Sequence, residues 1–197
     1  MNRKGLGYLD FASRVEQCFT SLVNPTSRDL KQALDQLRVE EQDLIPFLED
    51  PGLRPYGRKV LFQSPHVEVL VMNWAQHFKC APHDHGGSFG WVHVVKGEST
   101  HTTYAMKKEL PVPKRTDLEM EGASFFAPRK MVHDMENRSE RRMVTLHVYA
   151  PPISGMKVYD LERCAACVVS EDCGAWWPEE QRQQLREIKL KQKEPAQ

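Results

Sequence analysis

The chain has 197 residues, of which 40% are apolar, so it is long enough for one domain with a single hydrophobic core. Its 27 Lys and Arg residues balance its 27 Asp and Glu residues, which argues against binding to nucleic acid or an anionic membrane. No apolar run approaches the roughly 20 residues that span a bilayer, the N-terminus shows no signal-peptide pattern, and the five cysteines form no evenly spaced framework. We therefore expect a soluble, reduced, cytoplasmic monomer.

Residues 1–52 are predicted to be helical. Apolar side chains recur at helical spacing, first at Val15, Phe19 and Leu22 and then at Leu30, Leu34 and Leu37. Thr26, followed three residues later by Asp29, resembles a capping box at the start of the second helix. A further short helix is predicted over residues 40–48, before the break at residues 50–52.

Residues 53–160 are predicted to form strands. Segments rich in β-branched and aromatic residues cover 60–62, 67–74, 89–95, 99–104, 124–127 and 143–149, with 158–159 as a candidate last strand. Strands at this spacing without intervening helices favour an antiparallel sandwich or barrel. Residues 161–197 are a C-terminal extension, in which 178–191 reads as a solvated helix with Pro178 in its first turn.

A pair of histidines is the strongest functional feature. His83 and His85 are separated by one residue, and on a strand their side chains would point to the same side. Gly86 and Gly87 follow, so the backbone can turn sharply at the entrance of the next strand. His133 lies about fifty residues downstream and is the candidate third ligand of a metal ion. Alone, the pair is a weak signal, and the alternative is two surface histidines on a loop.

The context of these histidines resembles the two sequence motifs of the cupin superfamily. The matching positions are His83, His85 and Gly97 in the first motif, and Gly122, Pro128, His133 and Asn137 in the second. Lys130 replaces the middle glycine of the second motif. Ordinary cupins carry a glutamate ligand where this chain has Phe89 or Gly90, so the resemblance implies a site of three histidines without a carboxylate.

The wider resemblance, over roughly residues 56–160, is to cysteine dioxygenase. Its Tyr-x-Arg, His-x-x-Glu-Asn and Ser-x-His-x-Tyr-Ser-Pro-Pro segments correspond to residues 56–58, 133–137 and 145–152. Thr145 replaces the serine of the last segment, and its hydroxyl can still bond to a histidine. Gly90 occupies the position of the cysteine that crosslinks to the active-site tyrosine in animal members, so no thioether is expected.

The resemblance implies a mainly β cupin fold, that is, a double-stranded β-helix or jelly-roll barrel, with N-terminal helices and a C-terminal helix. It also implies Fe(2+) as the cofactor, and L-cysteine and O₂ as the substrates that give cysteine sulfinic acid. The implied roles are metal ligation by His83, His85 and His133, substrate binding by Arg58 and Tyr56, and catalysis by Tyr149 and His147. A guanidinium suits a substrate carboxylate because it binds both oxygens and stays charged.

Other functions remain open from the sequence. A dioxygenase for 3-mercaptopropionate or mercaptosuccinate would keep the metal and change the pocket, although Arg58 favours cysteine. A cupin isomerase or hydrolase is disfavoured because the acid ligand is missing. A non-enzymatic cupin that senses a small ligand is the alternative from another class.

The C-terminal cysteines and the remaining histidines are two further groups of candidate residues. Cys164, Cys167 and Cys173 could form part of a zinc site or a redox pair, but the second half of such a site is absent, and ordinary thiols are favoured. The remaining histidines are interpreted as structural or surface residues, namely His66, His77, His93 and His101.

Overall fold

The computed structural model describes residues 10–191. The outer ends of the predicted helical segment and of the C-terminal extension, residues 1–9 and 192–197, lie outside this range. Within it, no helix is both long and apolar enough to cross a membrane.

Three short helices precede the strands, as predicted. They are α1 (Phe11–Phe19), α2 (Ser27–Leu37) and α3 (Glu41–Leu44), the last continued by a 3-10 turn over Ile45–Phe47. The predicted capping box of α2 is confirmed: the Thr26 side chain accepts from the Asp29 backbone N–H, and the Asp29 carboxylate accepts from the Thr26 backbone N–H. Both contacts satisfy amide groups that a helix start leaves without partners.

The rest of the described chain is mainly β structure. In chain order the strands are β1 (Tyr56–Gln63), β2 (Glu68–Trp74), β3 (Phe78–Lys79), β4 (Phe89–Lys96), β5 (Glu98–Lys107), β6 (Leu110–Met120), β7 (Ser124–Ala127), β8 (Val132–Asn137), β9 (Met143–Ala150), β10 (Lys157–Asp160), β11 (Ala165–Val169) and β12 (Gln184–Lys189). They form antiparallel sheets in the orders β1-β2-β9-β4-β7, β3-β8-β5-β6 and β10-β11-β12. This is the predicted fold class.

The central strands of the five-stranded sheet are buried on both faces. In β9 the alternating residues Val144, Leu146 and Val148 pack with the helices, while Tyr149 belongs to a second cluster on the other face. Because side chains alternate along a strand, the same register points Thr145, His147 and Tyr149 away from the helices. The interior of the barrel therefore receives one continuous row of polar side chains.

The predicted C-terminal helix over residues 178–191 is wrong. A 3-10 turn at Gln181–Gln183 leads into β12, which pairs antiparallel with β11. Ile188 and Leu190, two residues apart, pack with the same cluster as Tyr159, which is the period of a strand and not of a helix. The hydrogen bonds to β11 outweigh the helix propensity of a segment rich in Gln, Arg and Glu.

Candidate metal centre and substrate pocket

The three predicted histidine ligands lie together. His83, His85 and His133 are 7%, 2% and 1% exposed, and each offers a ligand nitrogen within 4.8 Å of the others. His83 lies in an extended segment outside the named strands, contrary to the strand expected for this pair. It forms an isolated antiparallel bridge with His133, in which each backbone N–H donates to the other residue's carbonyl at 2.9 and 3.0 Å. The backbone pairing itself therefore brings the two motifs together.

The ring nitrogens leave Nε2 as the metal-facing atom. His83 Nδ1 lies 2.9 Å from the Ala81 carbonyl oxygen, which can only accept, so that nitrogen carries the proton. The Nε2 atoms of His85 and His133 are 3.1 Å apart. Two such atoms at the usual imidazole–metal distance of about 2.1 Å would subtend an angle of about 95° at one ion. These residues thus fit a metal ion, and the donor set is three imidazoles.

Burial keeps these imidazoles neutral. Loss of solvation lowers the pKa of His83. It also lowers the pKa of His85 and His133 well below the ordinary value, and repulsion from His83 adds to the effect on both. A neutral imidazole is the form that ligates a metal. Across residues 10–191, no other group of His, Cys, Asp or Glu is arranged to hold an ion.

Gly90 corresponds to the cysteine that crosslinks to tyrosine in animal members of the resembling family, and it lies against Tyr149. A Cβ built on Gly90 would be 2.3 Å from the Val148 carbonyl oxygen and 2.4 Å from Cδ1 of the Tyr149 ring. The backbone of β4 therefore approaches the ring more closely than any side chain would allow.

A chain of hydrogen bonds runs along the inner face of β9 towards the histidines. The Trp74 indole N–H donates to Thr145 Oγ1 at 2.8 Å, and Thr145 Oγ1 lies 2.7 Å from His147 Nε2. His147 Nδ1 is 3.0 Å from the Tyr149 hydroxyl, which is 3.2 Å from His85 Nε2. The order Trp74, Thr145, His147, Tyr149, His85 thus connects the barrel interior to the metal centre.

The first member of this chain favours one direction. An indole N–H can only donate, so Thr145 accepts from Trp74, and its own hydrogen can be donated to His147 Nε2. In that arrangement His147 carries its proton on Nδ1 and donates to the Tyr149 oxygen. Burial lowers the pKa of His147 to about 3 and raises that of Tyr149, so the imidazole stays neutral and the phenol keeps its hydrogen. That hydrogen points towards His85.

Arg58 lies at the same pocket, but it is not free. One guanidinium nitrogen is 3.3 Å from Glu68 Oε1, and the side chains of Arg58 and Glu68 are 18% and 4% exposed. The other Glu68 oxygen accepts from the Ile153 backbone N–H at 3.1 Å. Burial raises the pKa of Glu68, while Arg58 and this backbone contact oppose the shift. Glu68 was not predicted as a site residue, because in the sequence it is one polar residue in an apolar strand.

Tyr56 also lines the pocket and has a structural contact of its own. Its hydroxyl accepts from the Ala175 backbone N–H at 2.7 Å, and its ring packs against Trp74 and Trp176. This anchors the segment 170–177, whose members Ser170, Glu171, Cys173 and Gly174 form one wall of the pocket. The predicted C-terminal extension therefore closes the site and is not an appendage.

The cysteines carry no disulfide. The structure places Cys164, Cys167 and Cys173 in no metal-binding group with other described residues. Burial raises the pKa of Cys173 to about 12, which disfavours the reactive thiolate.

The sheets and the histidine group define a double-stranded β-helix protein with a buried group of three histidines that could hold a metal ion. One solved structure agrees with this fold. An uncharacterized conserved protein with a double-stranded beta-helix domain from Klebsiella pneumoniae is 17% identical with a TM-score of 0.50, over 61% of this chain and 90% of that one. A Thermus thermophilus protein is 20% identical with a TM-score of 0.46, over 55% of this chain and 94% of its own.

The family follows from the sequence itself. The model of the family "Cysteine dioxygenase type I" matches residues 54–162, which is more than half of the chain. The chain belongs to the cysteine dioxygenase type I family. The activity of this family is that of a thiol dioxygenase. The three-histidine group of this chain fits an iron site.

Proposed function

We propose that this protein is an iron-dependent dioxygenase that oxidises L-cysteine with O₂ to cysteine sulfinic acid, RSH + O₂ → RSO₂H. The observation that carries the proposal is the joint placement of three buried neutral imidazoles and Arg58 at one pocket. Both atoms of O₂ enter the product, so the reaction needs no further reductant.

His83, His85 and His133 would hold Fe(II) through their Nε2 atoms, and the ion, when bound, supplies open coordination positions for a thiolate and O₂. Three neutral ligands leave the double positive charge of the ion uncompensated. A site of this charge favours the deprotonated form of an approaching thiol. The missing carboxylate is therefore matched to a substrate that brings its own negative charge.

Arg58 would bind the substrate carboxylate at the other end of the pocket. A guanidinium retains donors beyond the one that faces Glu68, and a charge-assisted contact to a carboxylate is stronger than a neutral one. Glu68, held by the Ile153 N–H, keeps the guanidinium from rotating away. A thiol acid bound at Arg58 would then share the pocket with the three histidines.

Tyr149 would orient the reacting groups beside His85. With His147 donating to its oxygen, the Tyr149 hydroxyl hydrogen would be directed to the histidine group. Tyr149 can therefore donate a hydrogen bond to a group bound there, while Thr145 and Trp74 hold His147 in the required tautomer.

The test is anaerobic loading of the protein with Fe(II), followed by oxygen uptake with L-cysteine, 3-mercaptopropionate, mercaptosuccinate and cysteamine. We expect the highest rate with L-cysteine and sulfinate as the product. Uptake with no thiol, together with tight thiol binding, would support a sensing cupin and would contradict the proposal.

Arg58→Gln separates cysteine from other thiol acids. Loss of a charge-assisted contact of about 1.5–3 kcal/mol predicts a decrease in kcat/KM for L-cysteine of roughly 10- to 100-fold. Arg115→Gln on β6, whose side chain is 73% exposed, is the matched control and should leave the rate unchanged. Unchanged cysteine turnover in Arg58→Gln would indicate a different thiol substrate.

A further inference from the structure

We propose that His101 is a positioning residue for His133, because it accepts a hydrogen bond from the His133 Nδ1–H and so fixes the tautomer that leaves Nε2 for the metal ion. This inference rests on the metal centre of the proposed function. It assigns a role to a histidine whose sequence context suggests only a structural or surface residue.

The geometry of the two rings supports such a bond. His101 lies on β5, is 4% exposed, and its Nε2 is 2.9 Å from His133 Nδ1. Thr103 is the direct cross-strand partner of His133, so His101, two residues away on the same face, is its diagonal neighbour. The Phe125 ring stacks on His101 at 4.1 Å with an interplanar angle of 22°, which holds the plane of the acceptor.

The direction of the bond follows from the metal-facing atoms. His133 Nε2 is the atom close to His85 Nε2, so ligation through it places the proton of the neutral ring on Nδ1. His101 Nε2 must then be the acceptor, and the proton of His101 lies on its Nδ1, 3.9 Å from Glu119 Oε1. Glu119 thus lies next to His101, and His101 in turn contacts the ring of His133.

The other two ligands are supported differently. The Ala81 carbonyl holds His83, whereas His85 Nδ1 is buried without a hydrogen-bond partner among the described residues. His101 therefore holds the Nδ1 side of His133, as the Ala81 carbonyl holds that of His83. A neutral imidazole in this role orients His133 without adding negative charge next to the ligands, which a carboxylate in direct contact would do. It thus preserves the charge on which thiolate binding depends.

The experiment compares Zn(II) and anaerobic Fe(II) affinity in His101→Gln and His101→Phe. Removal of an outer hydrogen-bond partner of a ligating histidine typically costs 10- to 100-fold in metal affinity. We expect a loss of about that size in His101→Phe, and recovery of most of it in His101→Gln, whose amide oxygen can accept. His93→Phe is the control: this half-buried histidine contacts Ser124 on the five-stranded sheet and should leave the affinity unchanged.

Wild-type affinity in a folded His101→Phe protein would overturn the proposal. If that variant does not fold, ¹⁵N NMR of the wild-type Zn(II) protein still tests it. The proposal requires a protonated His133 Nδ1 that shows a coupling through the hydrogen bond to His101 Nε2, and the absence of that coupling would refute it. Neither measurement uses thiol or O₂, so its failure is distinguishable from failure of the dioxygenase assignment.

Discussion

Gly90→Ala is the sharpest perturbation of the site that removes no polar group. The added Cβ would lie 2.4 Å from Cδ1 of Tyr149 and 2.3 Å from the Val148 carbonyl oxygen. Ordinary contact begins near 3.4 Å, so the ring or the strand must move by about 1 Å. The Tyr149 hydroxyl would then leave its position 3.2 Å from His85 Nε2.

Two effects of different size are expected. Overpacking of this kind typically lowers the free energy of unfolding by about 1–3 kcal/mol. A displacement of about 1 Å of an orienting group can lower kcat about 100-fold. We therefore expect a folded, Fe(II)-binding variant whose turnover of L-cysteine falls far more than its stability explains.

The assay measures kcat by oxygen uptake, iron content and urea unfolding on the same preparation. Gly87→Ala is the matched control, because a Cβ at Gly87 would meet no heavy atom within 4 Å. Wild-type turnover and stability in Gly90→Ala would refute the reasoning, since it would mean that Tyr149 has room to move or that its position does not matter.

Three other changes test the supporting contacts. Thr145→Val should leave Trp74 Nε1 unpaired and lower the free energy of unfolding by about 1–3 kcal/mol, with decreased kcat at unchanged iron content; unchanged kcat would contradict the relay. Tyr56→Phe removes the acceptor of the Ala175 N–H, so urea unfolding should show a similar loss, and faster amide exchange over residues 170–177 should accompany it. In the metal-free protein, burial lowers the pKa of His147 from about 6.5 to about 3, so the unfolded state takes up the proton first. Stability should therefore fall by about 2 kcal/mol from pH 7 to pH 5 through this group, and His147→Gln should show a shallower fall; an equal slope in both proteins would contradict it.

The sequence predicts all five strands of the large sheet and also β5, but it misses β3, β6, β8 and β11. The strands rich in Val, Phe and Trp were placed because their β propensity and core packing agree. β6 was missed because Pro111 and Pro113 argue against a strand, yet it is the edge of its sheet, where an absent N–H costs least. β12 was assigned to a helix because its pairing with β11 is a tertiary interaction that no local pattern contains.

The candidate site divides in the same way. The positions of the three histidines follow from motif spacing, and in the fold the His83–His133 bridge brings the two motifs together. Glu68 contacts Arg58, and His101 contacts His133, only in the folded structure. Their neighbours in the sequence give no indication of these contacts. For His101, its place in β5 two residues from Thr103 becomes informative only once the pairing with β8 is known.

The central claim is that this centre inserts both atoms of O₂ into a thiol. Reaction of the Fe(II) protein with L-cysteine under ¹⁸O₂, followed by mass spectrometry of the product, tests it most directly. We predict cysteine sulfinic acid that carries two labelled oxygen atoms, and no labelled product with His133→Ala. Sulfinate that carries one label or none, or disulfide as the sole product, would contradict the account.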